Sequence, residues 1–506
     1  MIGVWEIGGS RRRSKMWTRE SLHQLVLDEL RDYHLVVVSN REPYIHTHAL
    51  GAIHCDMPPS GLTAALDPVM RACGGTWVAH GSGNADRETV DGNDRVRVPP
   101  DDPRYSIRRI WLTKEEEDGY YYGVSNDALW PLCHIAYTRP TFNDDEWKIY
   151  RAVNERFARA VLEEVGGGKA FVFVQDYHLT LLPRILREAN PNLVVAQFWH
   201  IPWPNREAFR VCPWQEEILD GLLGNHLLGF HVRYHCNNFL ETVDRAIEAR
   251  VDYDRYEVKR GGKKTEVRPF PISIDFEEVS ARARGPEVEI EMERLRKSLD
   301  VDDCLIGMGL DRIDYTKGIP DRLRAIDRFL ERNPEYRGRM VFIQTGVPSR
   351  VHVPAYRRIN DEIDSLIEET NWKYETNHWK PIIDLRGPLS PLTVMALRRL
   401  SHFAIVSSLH DGMNLVAKEF VASAVDNDKV LILSEFTGAA RELTDALLVN
   451  PYAADEVAEA IKKAAEMPPE EKERRMRRMR AVVQDNNVYK WAADIVTRMV
   501  KIGSGG

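Results

Sequence analysis

Short runs of β-branched and aromatic residues, each leading at once into a polar cluster, set the strongest limit on how this chain can fold. The runs are "LVVVS" (35–39), "FVFV" (171–174), "VVAQFW" (194–199), "VFIQT" (341–345), "FAIVSS" (403–408) and "VLILS" (430–434). Their nearly unbroken apolar character suits strands buried on both faces, and amphipathic helical stretches lie between them. Strand–helix alternation predicts an α/β fold with parallel sheets. Five of these strands run on into "NREPY", "QDYHL", "HIPWP", "GVPSR" and "LHDGMN". Hydrogen-bonding residues therefore gather at strand carboxyl ends, where open α/β sheets bind ligands.

A chain of 506 residues exceeds one ordinary core, so two domains are expected. The composition shifts after "PFPISID" (269–275). In the adjoining "GPEVEIEMERLRKSLD", Val288, Met292, Leu295 and Leu299 recur at helical spacing as a core face. The expected organisation is an N-terminal extension to residue 33, a first domain over 34–275 and a linker over 276–302. A second domain spans 303–475, and closing helices over 476–506 cross back to the first.

The net charge of −8 gives no general attraction to nucleic acid or acidic membranes, so phosphate binding must come from local basic residues. No apolar run reaches the roughly 18 residues that span a bilayer, and the basic "RRRSK" lacks the apolar segment of a secretory signal. The scattered Cys55, Cys73, Cys133, Cys212, Cys236 and Cys304 form no CxxC pair and fit reduced cytosolic thiols. A cytoplasmic protein is expected. His46, His48, His54 and Cys55 could be drawn as a metal site, but they read as part of a flexible loop. "DYD" (252–254) comes after a charged helical stretch rather than a strand, and reads as a chance match to a metal-binding acid pair.

Two groups of residues carry candidate chemistry. "DRIDYTKG" places Arg312 and Lys317 just after a strand, with Gly318 permitting a tight path. Such cations suit a diphosphate, or else form a surface salt-bridge pair. "HDGMNLVAKEFVA" (410–422) runs from an acid, a glycine and an amide straight into an apolar helix. Helix starts favour anions, so Asp411 is either a helix cap or part of a ligand site. Arg41 and Arg350, each after a strand, could clamp one phosphate across a cleft.

With these residues in view, the chain resembles the retaining glycosyltransferases of family 20 that make trehalose 6-phosphate. The matching segments run in order from "SNREP", "PSGLTAAL", "YYYGVSNDALWP", "QDYHL", "FWHIPWP" and "GFHVRY" through "PISID", "DRIDYTKGI", "PSR", "HDGMNLVAKEF" and "SEFTGAA". The resemblance implies a GT-B fold, two Rossmann-like domains facing across a cleft. It also implies transfer of glucose from a nucleotide-glucose, UDP-glucose first among them, to glucose 6-phosphate, with no cofactor and no metal. A phosphorylated acceptor of the glucosylglycerol-phosphate type, or a silent sugar-phosphate sensor, are the competing expectations.

By the same resemblance, Arg41, Tyr121, Trp130, Asp176 and Arg350 bind the acceptor, the arginines at its phosphate. Gly61 lets backbone approach the donor diphosphate, and Arg312 and Lys317 neutralise it. Glu419 accepts from the ribose. Asp176, His200, Asp411, Gly412, Met413 and Asn414 surround the transferred glucose, with Leu415 and Val416 continuing the donor contact. Asp176, His200, Arg312, Lys317 and Asp411 form the catalytic set. Read alone, Tyr121 and Trp130 are core or rim aromatics and His200 a capped strand end. His178 and His231 are expected to be structural, and Lys418 a solvated or supporting residue. Three positions depart from the family pattern: Ser60 for glycine, Gln175 for histidine and His410 for arginine. A homo-oligomer is compatible with the sequence. No phosphatase segment is expected after the closing helices, so a separate trehalose-phosphate phosphatase would act downstream.

Overall fold

The computed structural model describes residues 16–49, 51–58, 61–347 and 354–504. Two positions of interest, Ser60 and Arg350, lie outside these described residues.

The apolar runs assemble into two sheets. In the first, the strands Lys263–Pro269, Leu227–Phe230, Leu193–Phe198, Ala170–Gln175, His34–Arg41, Thr76–His80 and Tyr105–Ile110 lie side by side in that order and run parallel. Antiparallel strands close its edges, Arg95–Val98 at one end and Glu257–Arg260 with Arg250–Asp252 at the other. The second sheet is parallel throughout, in the order Ile382–Arg386, Met340–Val347, Leu305–Arg312, Phe403–Val406, Val430–Ser434, Leu447–Val449. Counted along the chain, that order is 3-2-1-4-5-6, the arrangement of nucleotide-binding Rossmann sheets.

Burial explains why these runs became strands. Every residue of Ala170–Gln175 and of Leu193–Phe198 is buried, as expected for strands covered by helices on both faces. One cover is the long helix Asp144–Val165. Asn143 starts it by accepting from the Asp145 and Glu146 amides, and Gly166 ends it in the left-handed conformation. The helix Pro286–Leu299 buries Val288, Met292 and Leu295 as its spacing predicts.

Each sheet reverses its winding once. In the first, this happens between His34–Arg41 and Ala170–Gln175, in the second between Leu305–Arg312 and Phe403–Val406. At such switch points the loops leaving the two strands diverge to opposite faces and open a crevice at the carboxyl ends. Arg41 and Asp176 sit at the first crevice, while at the second Arg312 ends one strand and Asp411 lies beyond the other.

The chain passes between the sheets at 270–275 and returns through the helix Val488–Gly503. Trp491 of that helix packs against Phe173 and Phe198, and Arg498 Nε donates to Glu266 Oε2 at 2.6 Å.

Two local expectations need correction. Residues 45–56 form not a flexible loop but a β-hairpin, Ile45–Ala49 with Ala52–Asp56, in which His46 pairs with Cys55. Gly51 supplies the positive φ of its turn. His46 Nδ1 accepts from Arg109 Nη2 at 2.9 Å, so this imidazole serves a buried ion-pair network around Glu42 and Asp86. Asp252 of "DYD" ends an edge strand rather than continuing a helix directly, and its carboxylate accepts from the Arg255 amide.

Candidate active site

At the first switch point, Arg41 ends its strand with Nη2 donating to the Tyr121 hydroxyl at 3.0 Å. Tyr121 lies in a π-helical segment, Asp118–Leu129, which leads directly into the short helix Trp130–His134. Such segments are uncommon and often serve functional sites. This one is tied down from inside: Asn126 Nδ2 donates to the Tyr121 carbonyl, and Asn126 Oδ1 accepts from the Tyr177 hydroxyl. Tyr121 also stacks on His178 with ring centroids 5.7 Å apart. Tyr121 and Trp130 are therefore buried aromatics that also border the crevice, which joins the two readings of these residues.

Asp176 leaves the neighbouring strand in a conformation (φ 68°, ψ −176°) that residues other than glycine avoid. This costs roughly 1–3 kcal/mol. Its amide donates to the Phe198 carbonyl, its own carbonyl accepts from Gln197, and its Oδ1 accepts from the His200 amide at 3.2 Å. The strained turn aims the carboxylate across the strand ends rather than along the chain. Burial pushes His200 down to about 3, so its ring is neutral. His200 Nε2 lies 2.9 Å from Gln175 Oε1, which can only accept, so the proton sits on Nε2 and Nδ1 is left as an acceptor.

At the second switch point, Lys317 Nζ donates to Asp411 Oδ2 at 2.6 Å. The ammonium outweighs burial and holds the Asp411 carboxyl down at about 2. Ser408 and Asn414 complete its hydrogen bonds. Arg312 is steered by Asp314, whose buried carboxylate also accepts from Thr316 and Tyr356. Gly318 is left-handed, and a side chain there would overlap the Ser407 carbonyl.

Asp411 is not the helix cap. The helix Leu415–Ser423 is capped by Asn414, at φ 84°, whose side chain accepts from the Ala417 amide. Asp411 is thus free of capping duty and engaged with Lys317. Leu415 and Val416 form the helix's first turn, where backbone N–H groups lack intrahelical partners. Glu419, one turn on, is held by Arg398, a partner that "LRRL" gave no reason to single out. Met413 is buried, its carbonyl accepting from the Ala439 amide.

The two crevices face each other. Gly412 packs so closely on the His200 carbonyl that any side chain there would overlap it. The Arg312 guanidinium lies 5.3 Å from the Trp130 ring centroid, and a Cβ on Gly61 would stand 3.7 Å from Leu415. His410 Nδ1 donates to the His134 carbonyl at 2.9 Å. His231 Nε2 donates to the His200 carbonyl beside Gly412, so it supports this contact rather than standing apart. Lys418 is buried, not solvated. Its ammonium donates to the Ile272 carbonyl at 2.8 Å and to Glu442 at 2.6 Å, anchoring the Leu415–Ser423 helix to the crossing segment. Among the described residues, no three His, Cys, Asp or Glu side chains converge as a metal-ligand set, and no helix is long and apolar enough to cross a membrane.

A facing pair of Rossmann-type sheets with paired cations on one side is the frame of a nucleotide-sugar transferase, and comparison with known proteins decides the family. The sequence profile of glycosyltransferase family 20 matches residues 33–501. The chain belongs to this family. The bifunctional trehalose-6-phosphate synthase/phosphatase of Thermoproteus tenax is 37% identical over 481 residues, covering 93% of this chain but only 64% of its own length. The trehalose-6-phosphate synthase of Mycolicibacterium smegmatis is 36% identical over 482 residues, with 93% of each chain covered. Among solved family 20 structures, an alpha,alpha-trehalose-phosphate synthase (UDP-forming) from Burkholderia xenovorans in complex with glucose-6-phosphate superposes with a TM-score of 0.82. It is 28% identical and covers 92% of this chain and 99% of its own. This family 20 chain has the GT-B fold.

Proposed function

We propose that the protein transfers glucose from UDP-glucose to glucose 6-phosphate, with retention, giving α,α-trehalose 6-phosphate and UDP. The observation that carries this reading is the meeting of two charge groups across the Gly412–His200 contact. Arg312, Lys317 and Asp411 stand on one side, Arg41 and Tyr121 on the other. The relatives' names supply the substrate classes, and the site residues fit them. We assign the acceptor to the unit over 34–275 and the donor to that over 303–475.

In this reading Arg312 and Lys317 meet the donor diphosphate, and the first-turn amides of Leu415 and Val416 with Glu419 fix the nucleotide. The glycosidic C1–O bond breaks, and the electron pair leaves with the diphosphate. The two cations therefore bind more strongly in the transition state than in the ground state. The acceptor hydroxyl forms its new bond to C1 on the same face and passes its proton to a departing phosphate oxygen. Asp176 and the neutral His200 accept from sugar hydroxyls and orient them. Arg41 holds the acceptor phosphate, and Arg350, outside the described residues, is assigned to the same phosphate from the sequence. Dephosphorylation is the class of reaction that consumes the product.

The test is release of nucleotide diphosphate by the purified protein. Donors are UDP-, GDP- and ADP-glucose, each offered with glucose 6-phosphate or glycerol 3-phosphate. Turnover with UDP-glucose and glucose 6-phosphate is expected. Preference for glycerol 3-phosphate would reassign the acceptor, and binding without turnover would make the protein a sensor.

A further inference from the structure

His410 stands between two contacts that the reaction scheme leaves without a role. Its Nδ1 donates to the carbonyl of His134, the last residue of the helix Trp130–His134. Because a carbonyl can only accept, the proton must sit on Nδ1. On the far side, His134 is fastened to the same helix: its Nδ1 lies 2.9 Å from the Trp130 carbonyl, and its ring centroid is 4.0 Å from that of Trp130. Trp130 in turn lies under Arg312.

These contacts close a circuit through both lobes. Arg312 ends one strand of the second switch point, and His410 leaves the other. Both come down on one five-residue helix of the opposite lobe, Arg312 at its first residue and His410 at its last. All five residues of the helix are buried in their own lobe, and these two contacts join its two ends to the opposite lobe. The helix continues the π-helical segment that holds Tyr121 against Arg41, so its orientation is passed to the acceptor side. Asp411 is the next residue after His410, so the same bond also fixes the donor loop.

We propose that His410 is a positioning residue, a latch that ties the donor loop to the acceptor helix so that each substrate organises the other's site. The proposal rests on the synthase reading for its consequences in turnover but not for the latch itself. Lost with the latch is coupling rather than affinity for either substrate alone, because Lys317, Arg312 and Arg41 stay in place.

The variants that test it are His410→Ala and His410→Asn. Asn carries an N–H donor as many bonds from the backbone as Nδ1. In the ligand-free protein, hydrogen exchange is tracked in segments 130–136 and 408–414. His410→Ala is expected to speed exchange on both sides together, and His410→Asn to restore it. A change confined to 408–414, or no rescue by Asn, overturns the latch. In binding and steady-state assays, saturating UDP should tighten glucose 6-phosphate binding in the native protein. That enhancement should fall about tenfold in His410→Ala, on the order of one lost hydrogen bond. UDP affinity alone should stay within about twofold. Unchanged coupling in His410→Ala also overturns the latch. If the native protein turns over no donor–acceptor pair, the synthase reading fails instead, and the exchange in the two segments still decides the latch.

Discussion

Lys317 Nζ donates to Asp411 Oδ2 at 2.6 Å, joining the loops that leave two neighbouring strands of the second sheet. The pair spans the switch point at which a Rossmann sheet binds its ligand. The pair braces the two loops, and under the proposed function it also holds a charge ready for the donor.

Replacing Lys317 separates these roles. Lys317→Met leaves the part-buried Asp411 carboxylate without its ammonium, and a one-sided loss of this kind costs at most about 3–5 kcal/mol. The double variant Lys317→Met/Asp411→Asn should recover most of that stability in urea melts while remaining at least about 100-fold slower in turnover. Recovery of turnover in the double variant would show that the ammonium is not needed at the diphosphate. The pair also leaves a pH signature. Asp411 titrates lower in the fold, at about 2, than its ordinary 3.8, so its contribution is complete above about pH 4 and disappears as pH falls toward 2. That contribution is about 2 kcal/mol in the native protein. A loss of acid stability of similar size in Asp411→Asn and native protein would contradict it.

The tautomer of His200 depends on Gln175. With Nε2–H donated to Gln175 Oε1, Nδ1 is kept as an acceptor. Burial holds the ring neutral down to about 3, so kcat/KM should show no acid limb from His200 between pH 5 and 7. Gln175→Glu places a carboxylate against the ring and raises its pKa. A new limb, with activity falling below about pH 7, is expected in the pH profile. Gln175→Leu removes the lock without adding charge and should lower kcat by about tenfold with no new limb. A Gln175→Glu profile identical to that of the native protein would refute the tautomer assignment.

Gly412 has no room for a side chain. Its Cβ would overlap the His200 carbonyl, which is backbone and cannot swing aside. A Cβ there would stand 2.3 Å from that oxygen, so Gly412→Ala should push the two lobes apart by roughly 0.7–1 Å. The apolar core, which runs through both lobes, loses no side chain, so the melting temperature should fall by only a few degrees. Turnover should drop at least about 100-fold, because reacting atoms must approach within about 3–3.5 Å. A large loss of Tm with proportionate loss of activity would instead make Gly412 a folding residue.

Six of the sheet strands and the crevice at their ends were legible in the sequence because strands buried on both faces are continuously apolar. Polar residues then have nowhere to gather but the strand ends. Partly exposed strands such as Lys263–Pro269 and Ile382–Arg386 gave no such run. Less legible was anything settled by a distant partner. Lys418 could not be told apart as solvated or supporting, because Ile272 and Glu442, which bury it in the supporting role, lie 146 and 24 residues away. Asp411 read as either a cap or a ligand-site residue, because sequence does not say which of Asp411 and Asn414 turns inward; Asn414 is the cap and Asp411 is bonded to Lys317. The hairpin at 45–56 was hidden because its polar, histidine-rich stretch read as a flexible loop, whereas His46 pairs with Cys55 across a glycine turn. Arg398 carried no signal at all, since its role comes from the helix packed beside Glu419.

Arg41 provides the direct test of the acceptor side. Its guanidinium is aimed by the Tyr121 hydroxyl at 3.0 Å, and both residues lie at the first switch point, away from Lys317 and Asp411. Arg41→Ala should raise the KM for glucose 6-phosphate by about 30- to 100-fold, the worth of a charge-assisted contact. Hydrolysis of the donor without acceptor should change by less than about twofold, because no donor contact is touched. Tyr121→Phe keeps the guanidinium but loses its guide, so the same KM should rise by only about three- to tenfold. Arg350→Ala should act in the same direction as Arg41→Ala. If glucose without its phosphate loses as much from Arg41→Ala as glucose 6-phosphate does, Arg41 serves the sugar or the fold rather than the phosphate.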